Sequence, residues 1–178
     1  MLKLSEPVLV KKNKFRDSRG YFYEAYNKKS FKKTLNINEN FVQDNISFSK
    51  KGVIRGLHFQ TNKPQGKFVS VIIGKIFDII VDIRPNSKNF LKKYTFNLDG
   101  VHNYSLWVPP GFAHGFQSLA NETIVFYKCT NFYSPNSEKT VIFNDPELNI
   151  KWPLKNFSIS KKDKKGITLN KLFKNSLS

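Results

Sequence analysis

The sequence predicts a mainly β protein, an antiparallel sandwich or barrel with few, short helices. Three observations carry this. Residues 77–83 alternate strictly, with Phe77, Ile79, Val81 and Ile83 on one face and Asp78 and Asp82 on the other; that period of two marks a half-buried strand. Clusters of turn residues separate one apolar run from the next: Pro85-Asn86-Ser87, Asp99-Gly100, Pro109-Pro110-Gly111 and Ser134-Pro135-Asn136. Apolar residues at helical spacing are scarce. Short strands punctuated in this way close into sandwiches or barrels.

In chain order, the first element is a helical candidate, "NKKSFKKTLNI" (27–37). "IRGLHFQ" (54–60) follows as a strand, with Ile54, Leu57 and Phe59 interrupted by Arg55, Gly56 and His58. "FVSVIIGKIFDIIVDIR" (68–84) predicts two strands turning at Gly74-Lys75. Further strands are predicted at 93–99, 104–110, 115–119, 122–133 and 139–145, and the C-terminal tail is the second helical candidate. No repeat or linker divides the chain, so one domain over residues 1–178 is expected, with a lysine-rich tail after about 164.

Composition excludes several classes. The formal charge is +17, almost all from lysine, since arginine occurs only as Arg16, Arg19, Arg55 and Arg84. The lysines are scattered and accompany no nucleic-acid-binding signature, so they read as a solvated face. Their positive field favours a small anionic substrate, such as a phosphate-bearing metabolite. The single cysteine, Cys129, excludes an internal disulfide and suits a reducing compartment. Its place in "FYKCTNF" reads as a buried, inert thiol. The opening "MLKLSEPVLVKKNKF" has no leader pattern, and Lys75, Asp78 and Asp82 interrupt the longest apolar run. A soluble, cytoplasmic protein is expected, without membrane or nucleic-acid partners.

Arg55 and His58 pose the sharpest question. Buried strands rarely accept a cation and an imidazole so close together without partners or work for them. Three positions apart, they point to opposite faces of a regular strand. Gly56 between them permits a bulge that brings both into one pocket. Asp78 and Asp82 face either a barrel lumen or solvent, and periodicity leaves both open. His114, after the turn in "VPPGFAHGF", reads from the residues alone as structural or solvent-facing; His102, in a loop, is given no role. No dinucleotide fingerprint, phosphate loop or nucleophile elbow occurs. What is left has acid–base character: His58, Lys67, His114, Tyr127, Asp78, Asp82 and Asp163.

The motifs "DSRGYFYEAYN", "FVQDNISFSKKGVIRG", "RGLHFQ", "QGKFV", "FDIIVDIRPNS", "WVPPGFAHGF", "YKCTNFYSPNSE", "NDPELNIKWP" and "ISKKD" resemble, in order and in register from about Phe15 to Asp163, the dTDP-4-dehydrorhamnose 3,5-epimerases. The resemblance implies an antiparallel cupin-type, jelly-roll barrel that is dimeric and free of metal and cofactor. It implies a dTDP-linked 4-keto-6-deoxy sugar as substrate, inverted at C3 and C5 in dTDP-L-rhamnose and hence surface-polysaccharide biosynthesis. The residues agree about metal: a cupin centre needs paired histidines one residue apart, and Gln60 stands where the second would fall.

By the same resemblance His58 is the base, a residue type suited to proton transfer near neutrality. Asp163 supports it, Lys67 stabilises charge developing on O4, and Tyr127 returns a proton from the opposite face. Arg19, Glu24, Gln43, Asp44, Asn45, Arg55, His114, Glu138 and Lys162 match substrate contacts, those near Arg19 and Glu24 lent by the dimer partner. Arg55 suits a diphosphate because its planar fork makes paired hydrogen bonds to phosphate oxygens. "FY" at 132–133 replaces a common tyrosine pair, and the proline pair in "VPPGF" and the tail past Asp163 also depart from the pattern. A single-position epimerase shares the same motifs. A non-catalytic sugar-binding barrel has no need of His58, Lys67, Tyr127 and Asp163 together.

Overall fold

In the computed structural model, which describes residues 5–174, the apolar runs form two largely antiparallel sheets packed face to face. The start of the segment read from sequence as lacking a leader pattern (1–4) and the end of the lysine-rich tail (175–178) lie outside the described residues. The elements are β1 (Val8–Lys11), β2 (Phe15–Asp17), β3 (Gly20–Phe22), α1 (Lys28–Leu35), β4 (Gln43–Lys50), β5 (Val53–Gln60), β6 (Lys67–Ile73) and β7 (Lys75–Asp82). They continue with β8 (Lys93–Asp99), β9 (Tyr104–Val108), β10 (Phe112–Ser118), β11 (Glu122–Cys129), β12 (Glu138–Thr140), β13 (Ser158–Ile159), α2 (Lys161–Lys164) and α3 (Leu169–Phe173). One sheet has the order β1-β9-β6-β11-β4; the other runs β12-β5-β10-β7-β8, with β13 alongside β5. Strands β2 and β3 form a separate hairpin. Among the described residues no helix is long and apolar enough to cross a membrane.

The core lies in three layers. Between the sheets, Val69, Leu106 and Val125 of the first meet Ile76, Ile80, Leu98 and Phe116 of the second. The outer face of the second sheet, with Leu57, Ile79 and Val81, is covered by Val141, Leu148 and Leu169. On the outer face of the first, Phe68 and Trp107 lie under α1. That helix forms because Phe31 and Leu35, four residues apart, share its buried face. Burying each is worth roughly 1.5–3 kcal/mol. The Asn27 side chain caps its start by accepting from the Ser30 amide, and Asn36, at φ 52°, ends it.

The two strands read around Gly74 are β6 and β7, and the candidate helix at 27–37 is α1. The strand read at 115–119 starts earlier, at Phe112, directly after the Pro109–Gly111 turn. That read at 122–133 stops at Cys129, where pairing with Lys67 and Gln43 ends. The segment at 139–145 is a three-residue strand followed by a bridge from Val141 to Ile167. Strands β1 to β4 have no counterpart among the predicted elements. Asp78 and Asp82 share the inward face with Ile76 and Ile80 and are fully buried, so the choice between lumen and solvent resolves to the lumen.

One irregularity shapes the interior. Where β5 pairs with β10, His58 lies opposite His114 and Arg55 opposite Phe116, so three steps along β5 match two along β10. The extra residue is a bulge, and it cancels the alternation that would separate Arg55 from His58. Two glycines make room for it. Gly56 has φ +123°, and a Cβ there would lie 2.5 Å from the Cα of Gly115. A Cβ at Gly115 would in turn meet the Arg55 carbonyl oxygen at 2.6 Å and Leu57 Cδ2 at 2.8 Å. Gly115→Ala is therefore expected to destabilise the fold by about 1–3 kcal/mol, the usual range for an overpacked core. Urea denaturation checks this, and an unchanged midpoint would refute the close approach.

Candidate active site

The bulge turns Arg55 and His58 to the same side, where both line a space of about 120 Å³ between the sheets, together with Lys67, His114 and Tyr127. His58, Lys67 and Tyr127 also line a wider cavity of about 330 Å³ that includes Gln43, Asn45 and Glu138. The walls come from different sheets. Arg55, His58 and His114 stand on β5 and β10, while Lys67, Tyr127, Gln43 and Asn45 stand on β6, β11 and β4. A ligand held between them meets one chemical group on each side.

His58 is fixed from behind. Its Nε2 lies 2.7 Å from Oδ1 of Asp163, a buried residue of α2. The Ser160 side chain caps this short helix by accepting from the Asp163 amide, and the Gly56 amide donates to Asp163 Oδ2 at 3.4 Å. Burial by itself would push the Asp163 carboxyl up. The hydrogen bonds and charge of His58, with the Gly56 amide and Ser160, outweigh it and hold the group below the usual carboxylate range. With Nε2 committed to Asp163, the imidazole has Nδ1 free to act on a ligand, since it makes no hydrogen bond among the described residues.

On the facing sheet the polar groups are left without such partners. Lys67 forms no ion pair among the described residues. Burial pushes its ammonium down, with Cys129, Glu138 and Asp78 pulling the other way. Burial likewise pushes the Tyr127 phenol up, reinforced by Cys129 and opposed by Arg55. The tyrosine thus stays protonated well beyond neutrality. Cys129 is buried, and burial raises its thiol, as expected of an inert side chain.

A second buried pair stands beside the first. His114 Nε2 lies 2.8 Å from Asp78 Oδ2, and the other Asp78 oxygen has no hydrogen-bond partner among the described residues. At the cavity mouth Lys162 is bonded to Glu138 Oε2, which also accepts from the Tyr133 hydroxyl at 2.8 Å. Burial would raise the Glu138 carboxyl, but Lys162, Tyr133 and the charge of His58 hold it down. Gln43 accepts from the Tyr133 amide and donates to Asn45.

Of the residues singled out from sequence, ten converge on this region: Gln43, Asn45, Arg55, His58, Lys67, His114, Tyr127, Glu138, Lys162 and Asp163. Three do not. Asp44 occupies the opposite face of β4, bonded to Lys128 at 2.7 and 2.9 Å. Arg19 sits at the β2–β3 turn, 88% exposed and bonded to Asp17. Glu24 accepts from Asn27 and lines a separate cleft. Sequence reasoning gave Tyr133 no role and Asp78 no partner. The signal for Asp78 is its even-numbered register with Ile76 and Ile80, whereas nothing local marks Tyr133.

The family model described as dTDP-4-dehydrorhamnose 3,5-epimerase matches residues 1–171. A protein of that name from Pseudomonas aeruginosa is 40% identical over 166 residues, covering 93% of this chain and 92% of the relative. One from Neisseria gonorrhoeae is 44% identical over 166 residues, 93% of this chain, and the chain spans about half (50%) of that relative's length. A solved dTDP-6-deoxy-D-glucose-3,5-epimerase from Legionella pneumophila, in complex with dTDP-4-keto-L-rhamnose, has a TM-score of 0.91 at 42% identity. It covers 95% of this chain and 90% of its own.

The Asp163 carboxyl also makes a prediction about stability. Its proton is held more weakly in the folded state than at the ordinary value of 3.8. Its contribution is therefore complete above that value and is lost as pH falls through the lower folded value. Asp163→Asn is expected to lower Tm at pH 7, with the gap to wild type narrowing below about pH 3.8. Thermal melts across pH check this; a gap independent of pH would show that the carboxylate is not the source.

Proposed function

Because the chain belongs to the dTDP-4-dehydrorhamnose 3,5-epimerase family, we propose that it inverts C3 and C5 of a dTDP-linked 4-keto-6-deoxy sugar, an isomerase of dTDP-L-rhamnose biosynthesis. The observation that carries this reading is the pairing of a carboxylate-backed histidine on one sheet with a protonated tyrosine on the other, across a single cavity. The C4 ketone acidifies the C–H bonds at C3 and C5, so a base can remove either proton to give an enolate. Inversion then requires a proton from the opposite face, which a single base cannot supply.

In this mechanism His58 takes the proton through Nδ1, and Asp163 stabilises the imidazolium that forms. Tyr127 delivers the replacement proton, and its raised pKa keeps that proton available at neutral pH. Lys67 faces the enolate oxygen. A poorly solvated ammonium gains most from an anion that appears only as the reaction proceeds, which makes it a strong transition-state stabiliser. Arg55 and Lys162 are cations for the diphosphate, while Gln43, Asn45, His114 and Glu138 hold the sugar and nucleotide. Base, acid and cation are all side chains of this protein, so the mechanism invokes no cofactor and no metal.

A homodimer with shared sites belongs to the same reading. The β2–β3 hairpin carries Phe15, Tyr21 and Phe22 in the open, and the edge strand β4 exposes Ile46 at 74% and Phe48. Apolar surface of this kind is best covered by a second copy, which would bring Arg19 and Glu24 to the partner's cavity. Asp44 shares the outward face of β4 with Ile46 and Phe48, so in this reading it stands at that boundary. A cytoplasmic setting fits the lone, buried thiol of Cys129.

Turnover of dTDP-4-keto-6-deoxyglucose in D₂O, followed by NMR, tests the assignment. Wild type is expected to place deuterium at both C3 and C5 of an inverted product. His58→Asn is expected to abolish uptake at both carbons. Tyr127→Phe is expected to exchange at least one position while returning mostly unepimerised sugar. Lys67→Met is expected to slow both exchanges by roughly a hundred- to thousandfold, as for loss of one oxyanion-stabilising group. Label at one carbon only in wild type would reduce the function to a single-position epimerase. Full exchange in His58→Asn would assign the base elsewhere.

A further inference from the structure

Outside the catalytic cavity, a second cleft of about 260 Å³ lies on the outer face of the first sheet, between the segment after β1 and helix α1. Its walls include Phe15, Phe68, Glu24, Asn27 and Lys12. Lys12 is unusual among the 26 lysines of the chain. Its Nζ donates to Ser70 Oγ at 3.2 Å, and Ser70 is in turn bonded to Ser105; both serines are buried. The rings of Phe68 and Tyr23 lie 5.1 and 5.6 Å from the nitrogen. No carboxylate pairs with it among the described residues.

We propose that Lys12 is a nucleophilic amine in this cleft, a covalent modification site that accepts an acyl group from small acyl phosphates. The geometry supplies three requirements of such a site. The cleft admits a small donor beside the nitrogen. Ser70, held by Ser105, fixes the amine at the wall. The aromatic lining and absent counter-ion leave the protonated form poorly solvated, so burial pushes this amine down to about 8. Charged and titratable groups near it are Glu24 and Tyr26 in the cleft wall, Lys11 and Lys14 on its own segment, and Tyr23 beyond the hairpin. The two lysines and the net charge of +17 favour an anionic donor over a neutral one.

In the step itself the neutral amine attacks the carbonyl carbon. A C–N bond forms and the C–O bond to phosphate breaks. Phosphate leaves with the electron pair and takes the amine proton, giving an amide and hydrogen phosphate. At pH 7.5 about a quarter of such an amine is free base, against roughly 0.1% of an ordinary lysine. A less basic amine is also a weaker nucleophile, so a net advantage of about tenfold is expected.

The test treats the wild-type protein with limiting acetyl phosphate at pH 7.5 and measures acetylation at each lysine by mass spectrometry. The reaction is run in parallel with and without saturating dTDP, which shields Lys67. Lys12 is expected to react about tenfold faster than the exposed Lys29, Lys155 and Lys161, with a rate that rises to half its maximum near pH 8. Ser70→Ala is expected to slow Lys12 alone. Lys12→Arg is expected to remove that one modification and leave the others unchanged. A Lys12 rate no greater than that of the exposed lysines would overturn the proposal. So would loss of Lys12 labelling in the presence of dTDP, which would place the amine in the nucleotide site instead of a separate one.

Discussion

One extra residue in β5, set against β10 where Gly56 meets Gly115, is the constraint on which the rest of the site depends. A strand that alternates strictly cannot turn Arg55 and His58 to the same side. With the bulge, the strand turns the exposed Arg55 guanidinium and the His58 imidazole toward one cavity while Leu57 and Phe59 still pack the outer core. The same turn of backbone aims the Gly56 amide at Asp163, so the irregular strand also helps hold the carboxylate behind His58. Bulges next to active sites re-aim side chains in this way. Here the cost is two positions at which nothing larger than glycine fits.

The interior charges are arranged unevenly, and the unevenness is informative. The second sheet holds its histidines against buried carboxylates, His58 with Asp163 and His114 with Asp78. The first sheet presents Lys67 and Tyr127 with no such partner. A buried ammonium without a counter-ion is unfavourable. It becomes favourable when negative charge appears on a bound ligand. In the proposed mechanism the facing sheets therefore divide the labour, with proton removal and an anchored base on one side, and charge stabilisation and a proton donor on the other. The mouth, where Lys162 and Tyr133 converge on Glu138, ties α2 to β12 and so steadies the segment that carries Asp163.

Much of this was legible in the sequence, and what was not has identifiable physical causes. The strands from β5 to β11 announced themselves through alternation and turn residues, and Gly56 between Arg55 and His58 signalled the bulge. Asp78 and Asp82 left two readings open because a period of two distinguishes faces without saying which face is covered. Strands β1 to β4 lack continuous apolar alternation: β2 and β3 are wholly exposed, and β4 is an edge strand with polar residues inward. For that reason Asp44 could not be separated from Gln43 and Asn45 until the strand was seen. Tyr133 and the Asp78–His114 pair depend on contacts between residues far apart in the chain, which no local pattern encodes. Lys12 looked like any other member of a lysine-rich chain until its serine and aromatic neighbours were in place.

The central claim is that His58 and Tyr127 address a single sugar ring from opposite faces. Nuclear Overhauser contacts in a complex with an unreactive dTDP-hexose lacking the 4-keto group, using protein labelled selectively at histidine and tyrosine, test it most directly. Cross-peaks from ring protons on one face to the His58 imidazole, and from the other face to the Tyr127 ring, are the expected result. Contacts to only one of the two side chains, or to both from the same face, would contradict it.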